Sequence, residues 1–406
     1  MRIAFLSVSA EFGGSERALW QLVRGIRRLA PSTECAVIVP RDAALAARMR
    51  EAGAAVHVLS MPDALASFGE WSLRGAPAVA KRSAAMLAAV SAARPYQRAL
   101  HSLLAEIDPD VVHTNGFKLH ILGSRAAPRC SAVVWQLHEF VSNRRLSRGL
   151  LRHHVPRAAA IVANSRSVAR DARAALGSAA PVEHVYNGVD MTEFSPSGPV
   201  ADLDALAGLP PPPAGTIRAG LVATFARWKG HETFLRAVRE VRAPVRAYIV
   251  GGPLYDTAGS QHSVDELRSL AASIGVAHRI AFTGYVEDPA GVMRALDVVV
   301  HASTDPEPFG LVIAEGLACG RPVVVSAAGG AAELVEDGRD AVTFIPGDAR
   351  ALARALEQLA NDASLRARLG SAARMTAVRR FDPDACARAF LDVYKRVAPR
   401  PRTAVT

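Results

Sequence analysis

Two carboxylates eight positions apart, Glu307 and Glu315, bracket the run Glu307-Pro308-Phe309-Gly310-Leu311, where the chemistry of this chain is most legible. The apolar stretch Asp297 to His301 predicts a strand, Pro306 and Pro308 a broken loop, the residues after Gly310 a helix, and Pro322 to Ser326 a second strand. The first amides of such a helix lack intrahelical partners, and its dipole places about half a positive charge there. That corner suits a phosphate. Hydrolysis of a glycosidic bond needs facing carboxyls roughly 5 to 9.5 Å apart. Eight helical residues separate Cα atoms by about 12 Å and turn the side chains by about 80°. The pair therefore reads as two contacts along one extended ligand, such as a sugar and a ribose, and not as an acid/base dyad. The bland alternative is a solvated loop glutamate and a helix-surface one.

Other residues of suitable type stand at strand ends. Arg227 and Lys229 follow a strand predicted over Gly220–Ala226. Two positions apart in extended backbone, they point the same way and together can balance a diphosphate. Preorganised cations at a departing diphosphate stabilise a transition state by on the order of several kcal/mol. Gly13-Gly14 follows the first predicted strand and opens the first helix, a tight turn that also lets backbone approach a ligand; Ser15 is a candidate cap for that helix. Gly251 ends the strand Tyr248–Val250, and Gly284 with Tyr285 follows Phe282, where a nucleotide base would be bordered. His138 closes the apolar run Val133–Leu137, His113 closes Val111–His113, and Asn164 closes Ile161–Ala163. Such residues are often only satisfied parts of a core.

The run E-P-F-G-L-V-I-A-E-G-L-A-C-G-R-P-V-V resembles the E-x7-E signature of the retaining glycosyltransferases of family 4, which have the GT-B fold. Gly13-Gly14-Ser15-Glu16, Tyr186-Asn187-Gly188-Val189-Asp190, Arg227-Trp228-Lys229-Gly230 and Phe282-Thr283-Gly284-Tyr285 agree with the family in order and spacing. The resemblance covers nearly the whole chain. It implies two Rossmann-like doubly wound parallel-sheet domains facing across a cleft. It further implies transfer of a sugar, with retention, from a nucleotide-diphosphate sugar to a hydroxyl of a glycan or lipid-linked acceptor. By resemblance His138, Arg227, Lys229 and Glu307 are the catalytic set, with Glu307 on the sugar. Glu315 takes the ribose hydroxyls, and the amides of Phe309, Gly310 and Leu311 take the phosphate. Gly13, Gly14, Gly251, Gly284 and Tyr285 complete the donor site, with His113 and Asn164 on the acceptor side. Many family members carry extra residues between the arginine and the lysine, so the short loop here leaves the aim of Arg227 open.

The 406 residues, half of them hydrophobic, predict two soluble domains. Strands alternate with helices in each half, which predicts parallel sheets covered on both faces. A first domain is expected over residues 1–200 and a second over 214–382, with the helix 383–406 packing back on the first and a proline-rich linker between. Residues Asp63 to Ile107 read as a long basic helical region. Ligands of such sheets bind at the carboxyl ends of the strands.

The formal charge of +10 is spread along alanine-rich helices and comes with no nucleic-acid-binding module, so nucleic acid is not an expected partner. Nucleotide phosphates and an anionic membrane surface fit it better. No run reaches transmembrane length and no signal peptide is read at the start, so a cytoplasmic protein, with peripheral contact at the inner membrane face, is expected. Four scattered cysteines predict reduced thiols. Asp202-Leu203-Asp204 has the letters of a metal-binding Asp-x-Asp but lies in the expected linker; neither a metal nor another cofactor is expected. The alternatives are a nucleotide-sugar epimerase on the same fold and a nucleotide-sugar-binding subunit without turnover.

Overall fold

The computed structural model describes residues 1–66, 79–144, 147–177, 181–253 and 260–399, without the side chains of 79–85. Its strands form two parallel sheets. The first holds β1 (Arg2–Ser7), β2 (Glu34–Val39), β3 (Ala55–Val58), β4 (Val111–Asn115), β5 (Ala132–Leu137), β6 (Ala158–Ala163) and β7 (Val182–His184), in the order β3-β2-β1-β4-β5-β6-β7. The second holds β8 (Ile217–Val222), β9 (Val245–Val250), β10 (Ile280–Gly284), β11 (Val298–His301), β12 (Val323–Ser326) and β13 (Ala341–Phe344), in the order β10-β9-β8-β11-β12-β13. Parallel sheets are what the alternating sequence pattern predicts, and their doubly wound order is what the family resemblance implies.

Both faces of each sheet are covered, which is why the strands read as unbroken apolar runs. Every residue of β5 and β12 is buried. Alternation appears only in which core a residue joins. Leu6, Trp135 and Ile161 enter one core of the first sheet, whereas Phe5, Val134 and Val162 enter the other. The second core also takes Phe390 and Tyr394 of the helix Pro383–Val397, which lies against the helix Gly14–Leu29. Gly25 permits that approach, since a Cβ there would stand 2.6 Å from the Cβ of Ala387.

The chain divides into two units, with boundaries after Gly188 and after Asp382; the Pro383–Val397 helix belongs to the first. The division falls earlier than the proline-rich stretch because that stretch is tied to the second unit. Arg294 donates to the carbonyls of Pro199 and Glu193, Arg374 to those of Phe194 and Met191, and Asp204 is buried between Arg218 and Arg246, each 2.8 Å away. The expected linker is a strap on the second unit. Asp204, half of the Asp-x-Asp, is consumed structurally by these arginines and by Tyr248 Oη at 2.6 Å.

Three local readings need correction. β8 stops at Val222, and Arg227–Lys229 is a 3-10 turn, not extended chain. β4 runs on to Asn115, which puts His113 in mid-strand. β7, Val-Glu-His at the sheet edge, is too short to carry an apolar run and was missed. Of the region expected to be helical over Asp63 to Ile107, Asp63–Ala66 and Val79–Ile107 are helices; the stretch between lies outside the described residues.

In each sheet the order reverses beside the first strand of the unit, between β1 and β4 and between β8 and β11. At such a point successive crossovers leave on opposite faces, which opens a crevice at the carboxyl ends of the strands. Arg227 and Lys229 follow β8, and Glu307 follows β11.

Candidate functional site

Glu307 is the centre of the second unit's switch point. Its backbone is fixed against Gly329, with the Glu307 carbonyl accepting from Gly330 N–H at 2.6 Å. The side chain is buried, yet every partner favours its charge. Lys229 Nζ lies 2.9 and 3.1 Å from the two carboxylate oxygens, Ser303 Oγ donates at 2.9 Å, and His301 Nε2 lies 3.3 Å away. Burial acts to raise the carboxyl's pKa, but the Lys229 charge and the His301 hydrogen bond outweigh it, so it is held well below the usual range. Glu307 is a carboxylate under any working condition.

Lys229 reaches it because the turn presses onto the end of β11. Gly230 has φ +76°, and a Cβ there would lie 1.8 Å from the carbonyl oxygen of Ala302. The ammonium also sits 4.0 Å from the ring centroid of Trp228. An ammonium has three N–H donors. Two meet Glu307, which leaves the third for a ligand oxygen.

Arg227 goes elsewhere, contrary to the expectation that the two cations point together. Its Nη1 donates to Nδ1 of His262 at 3.1 Å, and its Nη2 to Glu266 at 3.2 and 3.3 Å. Short backbone pairing holds this arrangement, with Arg227 N–H on Ser260 O and His262 N–H on Phe225 O. Glu266 closes a capping box with Ser263 at the start of the helix Val264–Ser273. Burial, then Arg227, lower the pKa of His262, as an Nδ1 that accepts a hydrogen bond requires. The clamp answers the question left by the short loop: His262 and Glu266 set the aim of Arg227.

The remaining second-unit candidates have mixed placements. Gly310 has φ +92° and caps the helix Leu311–Ala318, so Leu311 opens that helix. The Phe309 ring is buried against Phe381, with centroids 5.9 Å apart, so only its backbone can serve a ligand. Glu315 is a buried residue of the same helix. Gly284 ends β10 with φ +72°, and Tyr285 is exposed. Gly251, at φ +131°, is dictated by packing, because a Cβ would fall 2.0 Å from Ala223 O. We predict that Gly251→Ala lowers the melting temperature by several degrees or prevents folding, whereas Gly252→Ala, with nothing within 4 Å, leaves it unchanged; thermal denaturation checks both.

In the first unit Gly13 caps the helix Gly14–Leu29, and a Cβ on Gly14 would meet nothing within 4 Å. Ser15 is inside the helix and donates to Glu16 at 2.9 Å, so it is not the cap. His138 follows β5. Its Nε2 is buried without a partner, and burial lowers its pKa to about 4. Asn164 follows β6, buried, with its Oδ1 also unpartnered. His113 is the clear correction. It is fully buried, its Nε2 bonded to Gln136 Oε1 at 2.9 Å and its Nδ1 to Tyr394 Oη at 2.8 Å. Both nitrogens are spent within the core, so it is no acceptor contact.

Sequence reading missed His301, Ser303, His262 and Glu266. His301 ends the run Val-Val-Val-His just before the proline loop, a signal like that of His138. The Ser263-x-x-Glu266 pattern was visible as a helix cap but not as an arginine clamp. Among the described residues no group of three or more His, Cys, Asp or Glu side chains could hold a metal ion, and no helix is long and apolar enough to cross a membrane.

The family model described as Glycosyl transferases group 1 matches residues 216–362, and that described as Glycosyltransferase Family 4 matches residues 43–193. One match thus falls in each half of the chain. A D-inositol 3-phosphate glycosyltransferase of Xylanimonas cellulosilytica is 36% identical over 250 residues, 59% of this chain and 58% of that protein. The lipopolysaccharide core biosynthesis glycosyltransferase LpsE of Rhizobium meliloti is 32% identical over 203 residues, 50% of this chain and 56% of that protein. The chain thus spans under two thirds of the length of these relatives. The crystal structure of Anabaena HepE in complex with UDP and glucose is 26% identical, with a TM-score of 0.77, covering 97% of this chain and 99% of that one. The fold of this chain is GT-B, with sheets of seven and six strands.

Proposed function

We propose that this protein transfers a glycosyl unit from a UDP-sugar to a hydroxyl of a cell-surface glycan or glycolipid, with retention at the anomeric carbon and without a metal ion. The observation that carries this reading is the buried Lys229–Glu307 ion pair at the switch point of the second sheet, with Arg227, two residues before Lys229, held by His262 and Glu266. The HepE complex supports a uridine diphosphate, and the lipopolysaccharide relative supports a glycan acceptor.

In this reading Arg227, the third N–H of Lys229 and the amides at Gly310 and Leu311 face the diphosphate. As the bond from the anomeric carbon to the phosphate oxygen breaks, the electron pair goes to that oxygen, and these donors stabilise the charge that develops. Glu307, kept ionised, meets a sugar hydroxyl and the positive charge of the oxocarbenium-like state. The acceptor oxygen attacks from the face the diphosphate leaves, and its proton passes to the departing phosphate oxygen. Glu315 takes the ribose hydroxyls and Tyr285 borders the base. Fixed cations replace the divalent ion that other sugar transferases use. The basic surface is proposed to allow peripheral contact with an anionic membrane, from the cytoplasmic side.

The test is incubation with a panel of nucleotide sugars and glycan acceptors in EDTA, with the anomeric configuration of the product read by NMR. Consumption of a UDP-sugar with retained configuration is expected; no donor consumed, or an inverted product, refutes the reading. Because His262 acts through Arg227, His262→Ala should raise the donor KM about threefold to tenfold with a smaller change in kcat. An unchanged KM would show that Glu266 alone sets the arginine.

A further inference from the structure

The second sheet carries a cationic hollow at the edge opposite its switch-point crevice. The chain enters β8, β9 and β10, three adjacent strands, directly after Thr216, Pro244 and Arg279, so these residues stand along the amino edge. Strand β9 has six residues, which sets that edge roughly 17 Å from the carboxyl edge. The hollow has a volume of about 360 Å³, and its walls include Pro212, Pro213, Thr216, Arg242, His278 and Arg279. That is the small end of the range for ligand pockets, roughly 300 to 1,000 Å³.

The charge balance here is one-sided. With Arg246, three arginines line the hollow, and no carboxylate does among the described residues. The carboxylates next to it are occupied. Asp204 accepts from Arg246, Arg218 and Tyr248. Glu357 accepts from the backbone N–H groups of Arg242 and Ala243, at 2.7 and 3.2 Å, and from Asn361. The Arg279 guanidinium donates only to neutral oxygens, the carbonyls of Val245, Val238, Val241 and Ala243 at 2.7 to 3.3 Å. These bonds use four of its five N–H groups and leave one on Nη2. They fix the planar fork without neutralising it. Burial opposes its charge, and Glu357 only partly compensates. Arg242 and His278 are exposed, and their side chains make no hydrogen bond among the described residues.

Donors thus arrive from three strand entries. A fixed guanidinium fork matches paired phosphate oxygens, and a second arginine, a histidine and a hydroxyl can reach the others. A carboxylate, with two oxygens, would use fewer of them. The proline run supplies a stiff wall without N–H donors, anchored where Arg246 Nη1 donates to Pro210 O at 2.6 Å. The uncharged body of a ligand can pack there. We propose that this hollow binds the phosphate group of a small phosphorylated molecule, held by Arg279, Arg242 and His278. The site is separate from the donor site of the proposed function and does not depend on that reading. Free metabolites and lipid headgroups share this phosphate chemistry, and two experimental arms separate the sources.

In the first arm inorganic pyrophosphate is titrated calorimetrically into the full chain in EDTA and saturating UDP. Wild type should bind it. Arg242→Gln and His278→Gln should each bind about tenfold more weakly, at an unchanged melting temperature, while Arg227→Ala stays within about twofold of wild type. The second arm is co-sedimentation with phosphatidylglycerol vesicles, with phosphatidylcholine vesicles as the control. A free phosphorylated ligand predicts equal pelleting of wild type and Arg242→Gln. Pelleting that falls in Arg242→Gln, without pyrophosphate binding, would keep the phosphate site and assign it to a lipid headgroup. Pyrophosphate affinity and vesicle binding both unchanged in Arg242→Gln and His278→Gln would overturn the proposal. So would no binding by wild type in either arm, or pyrophosphate binding that Arg227→Ala abolishes. Failure of wild type to bind UDP would count against the donor reading alone, and Arg242→Gln would still decide the hollow.

Discussion

Lys229→Met should lose about 3–5 kcal/mol of stability near neutral pH and about a hundredfold to a thousandfold of transfer rate. The reason is what it leaves behind. Glu307 is buried and ionised, and removing the ammonium 2.9 Å away strands a carboxylate with only Ser303 and His301 for support. Burial, now the dominant influence, would push its pKa up. The sign of the pH dependence then reverses. In the wild type the folded pKa lies below the unfolded value of about 4.5, so the pair's stabilisation is complete above that value and is lost only in strong acid. In the variant the folded pKa lies above it, so the deficit relative to wild type shrinks as pH falls from 8 towards 5. Urea denaturation of both proteins at the two pH values measures this. Lys229→Met/Glu307→Gln, which removes the charge as well, should recover part of the loss. Equal stability of wild type and Lys229→Met would mean that the ion pair is a solvated surface contact.

The second large effect is acid lability. Burial drives the pKa of His113 down to about 3 and that of His231 to about 3, from 6.5. An unfolded chain takes up both protons near pH 6.5 and the folded protein does not. Stability is therefore complete above pH 6.5 and falls as pH drops towards 3, by about 1.4 kcal/mol per unit for each residue. Two such histidines remove about 4 kcal/mol between pH 6.5 and 5, a large part of a typical domain's stability. The two differ in a testable way. His113 has both nitrogens bonded, whereas both of His231 are buried without partners beside Phe225. His231→Leu should raise stability at pH 7 by about 1–2 kcal/mol and flatten the acid slope by one proton. An unchanged slope in that variant would show that His231 is protonated in the folded protein.

What the sequence disclosed follows from where the information lies. Strands covered on both faces must be apolar throughout, so β5 and β12 could be read directly, as could the helix opening at Gly310 beside the carboxylate of Glu307. β7 lacks that signal because Val-Glu-His at an edge need bury only one residue. The site residues were harder, since identical local patterns acquire different fates from distant partners. His113 and His138 both follow apolar runs; Tyr394, remote in sequence, makes one of them structural. Arg227 and Lys229 look alike two residues apart, but a 3-10 turn separates their directions, and His262 and Glu266 claim the arginine. Periodicity reports which face is buried; it does not report which charge a loop will bring back. The grouping of Arg242, His278 and Arg279 escaped notice for the same reason, because only the folded chain brings three strand entries together.

The central claim is that the second unit holds a nucleoside diphosphate on Arg227, Lys229 and the amides at Gly310 and Leu311. Isothermal titration of the full chain with UDP in EDTA tests it most directly. Wild type should bind, and Arg227→Ala should bind about tenfold to a hundredfold more weakly with an unchanged melting temperature in the absence of nucleotide. No binding by wild type, or equal affinity in Arg227→Ala, would contradict the account.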